Sequence, residues 1–351
     1  MDDPSPHSTP HSTGTPLRQA MTRRLLRRSA AHGEIALPAV PGMLDEYVQT
    51  CDELFTSLGV SFTAEELAHL RTVIEGQVAL AYSASPRSEV VITYDSPVGL
   101  TVNYHVAARW FTLEGAYDNW VATREPPLFG SEPDARVWAL AGESGSPSTF
   151  PILDVGAGTG RNTLALARRG HPVDAVEMTP KFADLLRSGA QQESLNIRVI
   201  QRDVFETLQD LRTDYQLILL SEVVSDFRTV EQLRGVFELA AHCLAPGGRL
   251  VFNIFLPRET YLPDAAAREL GQQCYTSIFT DADVVAAVAG QPLELISDES
   301  VHDYEKDHLP PQGWPPTSWY VNWISGLDVF DVPREESPIE MRWLVYRKPE
   351  R

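Results

Sequence analysis

From residue 151 onward, short apolar runs alternate with segments whose apolar residues recur every three or four positions. The runs at 151–155, 173–176, 197–200, 215–220 and 249–255 predict strands, and the periodic segments at about 161–169, 180–190, 230–243 and 281–289 predict helices. Alternation of this kind implies an α/β fold, a doubly wound and mostly parallel sheet with helices on both faces. Two further apolar runs, 293–297 and 339–346, bring the expected sheet to seven strands. Thr179 before Pro180 marks a helix start, and Gly170 closes the helix before it.

Upstream the pattern differs. Between Met43 and about Tyr82 the apolar residues keep helical spacing, with Leu67, Leu70, Val73, Ile74, Val78 and Ala81 on one face, and Thr63 with Glu66 forms a capping box. The stretch EVVITYDSPVGLTVNYHV predicts two strands around a turn at Asp95 to Gly99. Residues 1–33 read as a disordered basic arm, because the first 16 are mostly Pro, Ser, Thr and His and have almost nothing to bury. The expected organisation is therefore the arm 1–33, a helix-plus-hairpin cap module 34–125, and an α/β domain 126–351 with a long lid-like insertion at 302–337.

Charge narrows the partners. The formal net charge is -19, and since Arg18, Arg23, Arg24, Arg27 and Arg28 outnumber Asp2 and Asp3 in the arm, residues 34–351 carry about -22. Such a body repels phosphate polymers, which disfavours nucleic acid and suits a neutral or cationic substrate. No apolar run approaches the roughly 18 residues of a membrane span, so no membrane partner is expected. Cys51, Cys243 and Cys274 are few and far apart, which fits a reducing cytoplasm.

The candidate chemistry begins at ILDVGAGTGRNTLALARRG, Ile152 to Gly170. A strand followed at once by glycines and a helix brings a ligand against backbone N–H groups. A dinucleotide fingerprint needs G-x-G-x-x-G. This chain has Gly156, Gly158 and Gly160, with Arg161 in the sixth place and Asp154 just before the loop. A carboxylate there repels a diphosphate and attracts an ammonium group.

The segment resembles the first motif of the class I S-adenosylmethionine-dependent methyltransferases, and the resemblance continues in order over about residues 150–256. It implies that Glu177 in VDAVEMTP accepts the ribose hydroxyls, that Met178 lies against the adenine, and that Asp203 and Val204 in VIQRDVF read its edge. Ser221 and Glu222, in LSEVVSDF, fall at the mouth of the site, and CLAPGGRLVFNIF leads into the fifth strand of that fold. In GAYDNW, Tyr117 fits contact with the methionyl end of the cofactor and Trp120 contact with the acceptor; both equally fit core packing.

The sulfonium of S-adenosylmethionine already activates its methyl group, so the protein chiefly aligns the acceptor and excludes water. Glu222, His105 and Asp226 are the candidates for taking a proton or holding the acceptor. His105, with Tyr104 beside it as a candidate substrate contact, also suits plain packing. Trp319 and Tyr320 in GWPPTSWYVNW are either an aromatic wall for an amine or peptide terminus, or residues that bury the insertion against the sheet. The cluster HDYEKDH, His302 to His308, reads as a solvated charged loop, and no metal is expected.

These readings imply a cytoplasmic enzyme, monomer or homodimer, that transfers a methyl group to nitrogen or oxygen, nitrogen slightly favoured, of a small-molecule or peptide natural product, and releases S-adenosylhomocysteine. The acidic, aromatic-rich flanks resemble natural-product tailoring methyltransferases, including those of daptide-like pathways. Two alternatives stay open: an S-adenosylmethionine-binding enzyme that catalyses cyclisation or elimination, and a non-catalytic ligand sensor or partner-binding protein.

Overall fold

Ile152–Val155 is buried at all four positions, and so is Val173–Val176. A short strand enclosed on both faces belongs in the middle of a parallel sheet. The computed structural model, which describes residues 14–26, 30–85, 87–97, 102–110, 115, 121–123 and 127–350, places them there. The chain forms two compact units, Met1–Phe111 and Thr112–Arg351.

The first unit carries an antiparallel sheet of β1 (Ala31–Pro38), β2 (Glu89–Ser96) and β3 (Asn103–Arg109), in that order. Helices Leu44–Ser57 and Ala64–Ala84 accompany it. The second of these starts at the Thr63–Glu66 capping box and buries Leu70, Ile74, Val78 and Ala81, the predicted face. Two features differ from the sequence reading. Within the arm expected to be disordered, Gly14–Leu26 is a helix, and β1 begins at Ala31. The Pro, Ser and Thr bias ends at about residue 16; beyond it Leu, Arg, Gln, Ala and Met are good helix formers.

The second unit is a seven-stranded sheet in the order β6-β5-β4-β7-β8-β10-β9. It comprises β4 (Ile152–Val155), β5 (Val173–Val176), β6 (Ile197–Ile200), β7 (Tyr215–Leu220), β8 (Leu244–Pro257), β9 (Glu294–Ser300) and β10 (Ile339–Arg347). The first five are parallel, and β10 runs antiparallel to both β8 and β9. One buried apolar cluster, including Leu153, Ile218, Phe237 and Phe252, lies on one side. Another, including Ile152, Leu219, Tyr320 and Trp343, lies on the other. Strand order reverses between β4 and β7, and in such sheets the crevice at those carboxyl ends is where ligands bind. Among the described residues no helix is long and apolar enough to cross a membrane.

His302 to His308 is not a solvated loop. It lies in the helix Val301–His308, and Glu305 within it is fully buried. A carboxylate reaches the interior only when donors await it, and three do, from Ala135, Arg136 and Trp343.

Candidate active site

A cavity of about 290 Å³ occupies the crevice at the ends of β4 and β7. Gly156, Gly158 and Gly160 have φ of +71°, +55° and +97°, left-handed values that favour glycine. A Cβ on Gly156 would collide with Val223 Cγ2, from the loop after β7. The Gly156 and Ala157 N–H groups donate to the Val176 carbonyl at 2.8 and 3.1 Å and fold the loop back over β5. Gly160, expected to touch the cofactor, is not among the residues lining the cavity; it is the N-cap of the helix Arg161–Arg168, where a Cβ would meet Leu186 and Leu164.

Carboxylates at or just beyond the ends of β4, β5 and β6 line this cavity. Asp154 is 3% exposed, and Thr163 Oγ1 donates to its Oδ2 at 2.5 Å. Burial pushes the Asp154 carboxyl up to about 7, against the pull of that hydrogen bond. Glu177 is also buried; its Oε2 accepts the Gly158 N–H at 2.8 Å and its Oε1 the Thr179 N–H at 2.7 Å. Burial raises this carboxyl above its ordinary range, and the two backbone donors oppose the shift. Asp203 Oδ1 accepts the Phe205 N–H at 2.9 Å, which opens the turn Val204–Glu206. Val204 lines the cavity, as do Met178 and Phe205, both large apolar side chains left exposed.

The loop after β7 completes the wall with Ser221, Glu222, Val223 and Asp226. Glu222 has φ of +62°, which is costly for a side-chain-bearing residue. Its N–H donates to Asn253 Oδ1 at 2.7 Å, and its Oε1 accepts from Arg161 at 2.7 Å. Arg161 also lies 2.9 Å from Asp134 Oδ1 and donates to Phe129 O at 3.0 Å and to Ser221 Oγ at 3.3 Å. Burial pushes the Glu222 carboxyl up, and Arg161 pulls it back. Burial lowers Arg161, but Asp134 and Glu222 outweigh it, so the guanidinium stays charged. Asp134 adds to the upward push on Glu222, so on balance that carboxyl stays above its ordinary range while its Oε1 is tied to Arg161.

Of the residues expected from sequence, Asp154, Gly156, Gly158, Glu177, Met178, Asp203, Val204, Ser221, Glu222 and Asp226 share this one cavity. Tyr104 and His105 lie on β3 of the first unit, where Tyr104 stacks on Phe55 at 6.0 Å between ring centroids. Tyr117 and Trp120 lie outside the described residues. Tyr320 is buried and, with partly buried Trp319, packs in the core on one side of the sheet. Sequence reasoning missed Arg161 as a member of the wall, noting it only where a glycine was expected. It missed Asp134 and Asn253 entirely; neither has a local motif, because each acts through a residue far along the chain.

A doubly wound sheet with a bare glycine turn after β4 and a carboxylate at or just past the ends of three successive strands defines a class I S-adenosylmethionine-dependent methyltransferase domain. Residues 152–248 match the methyltransferase domain family. A ubiquinone biosynthesis O-methyltransferase of Serratia proteamaculans is 27% identical over 221 residues, 63% of this chain and 75% of that protein. The same enzyme of Erwinia tasmaniensis is 25% identical over 158 residues, and this chain spans only 56% of its length. A solved geranyl diphosphate C-methyltransferase from Streptomyces coelicolor A3(2) aligns at a TM-score of 0.47 and 15% identity, covering 61% of this chain and 78% of that one.

Proposed function

We propose that this protein transfers the methyl group of S-adenosylmethionine to nitrogen or oxygen, with nitrogen favoured, of a small-molecule or peptide natural product. The observation that carries the reading is the set Asp154, Glu177 and Asp203 around one cavity, beside the glycine loop. Its chemistry fits a zwitterionic nucleoside. Asp154 suits the ammonium group, Glu177 the ribose hydroxyls, Asp203 and Val204 the adenine edge, and Met178 and Phe205 its faces. Each Glu177 oxygen accepts one backbone N–H and retains capacity for a second donor. A diphosphate would meet the same carboxylates as repulsion.

Bound there, S-adenosylmethionine supplies a methyl group already activated by its sulfonium. The chain's own residues then bind, orient and exclude water. Five carboxylates, Asp154, Glu177, Asp203, Glu222 and Asp226, line the cavity against Arg161 and Arg202. That field supports a cationic or amine acceptor over an anionic one. The two ubiquinone-pathway relatives are named as O-methyltransferases, so a hydroxyl acceptor is the competing outcome. The setting proposed is the cytoplasm, with the protein a monomer or homodimer.

Calorimetry with S-adenosylmethionine is the first test. Glu177→Ala should weaken binding by about 1–3 kcal/mol, the scale of a lost charged hydrogen-bond partner. Panels of amines and phenols should then release S-adenosylhomocysteine, amines faster. Wild-type protein that binds no S-adenosylmethionine overturns the proposal; binding without product from any acceptor turns it toward cyclisation or elimination.

A further inference from the structure

A single buried cation holds together one wall of the cavity. Arg161 has 7% side-chain exposure and is shared by two carboxylates, Asp134 at 2% and Glu222 at 13%. Glu222 and Ser221 line the cavity, and Arg161 bonds to both. Asp134 is fixed from its other side by Asn162, whose Nδ2 donates to Asp134 Oδ2 at 2.8 Å and whose Oδ1 accepts the Asp134 N–H at 2.9 Å. Asn253 holds the Glu222 backbone in its left-handed conformation. Three separated segments therefore converge on one guanidinium: the residue before the helix Ala135–Gly142, the first residue of the helix Arg161–Arg168, and the loop after β7.

A buried carboxylate without a partner takes up a proton or leaves the interior. With Arg161 gone, Asp134 and Glu222 would face each other without a counter-ion, and the loop carrying Glu222 would lose its anchor to the glycine-loop helix. We propose that Arg161 is a positioning residue that keeps Glu222 ionised and fixed against the cavity, so that this wall selects for positive charge at the methyl end of the bound nucleoside. The inference rests on the reading of this cavity as the S-adenosylmethionine site. It goes beyond that reading by assigning Glu222 an electrostatic role, not a proton-accepting one, and by giving Arg161 the task of enforcing it.

S-adenosylmethionine and S-adenosylhomocysteine differ at the reacting atom by a methyl group and one positive charge, so the ratio of their affinities reads the wall's charge directly and needs no acceptor. Calorimetry with both ligands should compare wild type, Glu222→Gln, Arg161→Met and Arg161→Lys. Glu222→Gln, which keeps the shape and an oxygen for Arg161, should lower the preference for the sulfonium by at least about fivefold, the scale of one charge at about 4 Å even when screened as in bulk water. S-adenosylhomocysteine affinity should change less than twofold. Arg161→Met should lose the preference similarly, and Arg161→Lys, which keeps the charge, should recover most of it. An unchanged ratio in Glu222→Gln overturns the inference, and so does an unchanged ratio in folded Arg161→Met. If Arg161→Met does not fold, Glu222→Gln decides alone. Wild type that binds neither ligand overturns the cavity reading and this inference together, whereas wild type that binds both, with a ratio indifferent to Glu222, overturns this inference only.

Discussion

Glu305 Oε2 accepts the Ala135 N–H at 2.7 Å across 170 positions of sequence. Its Oε1 accepts the Arg136 N–H at 3.2 Å and the Trp343 indole N–H at 3.0 Å. The carboxylate thereby caps the helix Ala135–Gly142, whose own N-cap residue, Asp134, makes no side-chain cap bond. Asp134 is left to face Arg161, 2.9 Å away, and Arg161 in turn bonds to Glu222 of the cavity wall.

Replacing Glu305 with alanine removes the acceptor for all three donors. A buried donor left unsatisfied costs about 1–3 kcal/mol, and the three share one relaxation, so chemical denaturation should show a loss of about 3 kcal/mol. A loss below about 1 kcal/mol would mean the helix is not anchored through this carboxylate.

Two buried carboxyls make stability depend on pH near neutrality. Burial pushes Asp154 from an ordinary 3.8, and Glu305 from 4.5, up to about 7. Because the folded values lie above the unfolded ones, the folded state holds these protons more tightly between about pH 4 and 7. Their contribution is fully present below the unfolded values and is lost as pH rises through about 7. Denaturation at pH 5, 6, 7 and 8 should therefore show declining stability, with each group adding up to about 1.4 kcal/mol per pH unit inside the window. Asp154→Asn should remove part of the slope. Stability that is flat or rising over this range contradicts the assignment.

Gly156 and Val223 form a matched pair across the cavity floor. A Cβ at Gly156 would run into Val223 Cγ2, and the φ of +71° is unfavourable for alanine in any case. Gly156→Ala should lose about 1–3 kcal/mol of stability through the strained backbone and more through the clash, and should weaken S-adenosylmethionine binding. Adding Val223→Ala relieves the clash but not the dihedral. The double variant should thus recover part of the loss, with a coupling energy above about 0.5 kcal/mol. Strict additivity would show that the two side chains do not meet.

Much of the sheet was legible because its signals are local. β5 and β7 have the limits the apolar runs predict, 173–176 and 215–220, since strands buried on both faces admit little else. β1 was not, because Gly33 and Pro38 interrupt its alternation and none of its eight residues is buried, five being half-buried and three exposed. The cavity residues Asp154, Glu177 and Asp203 were readable from their places at or just past strand ends. The roles of Arg161, Asp134 and Glu305 were not, because burial of a charge is decided by partners that only folding brings near. Glu305 sits in a string of polar residues that reads as solvated, and no pattern within His302 to His308 distinguishes it.

Tyr320 offers a test of the interior on the other side of Arg161. Its side chain is 1% exposed, and its ring packs against Trp314 and Trp323 with centroids 6.0 and 6.3 Å away. Among the described residues its hydroxyl has no hydrogen-bond partner. Burial, and the charges of Glu305, Asp134 and Glu222, carry that hydroxyl well above its usual ionisation range despite Arg161, so it stays a neutral O–H. A buried hydroxyl without a partner costs stability, whereas removing it costs nothing in ring packing. Tyr320→Phe should leave stability unchanged or raise it by up to about 1 kcal/mol, measured by denaturant unfolding at pH 7. A loss of more than about 1 kcal/mol would show that the hydroxyl is bonded in solution, through an ordered water between it and the Arg161 network.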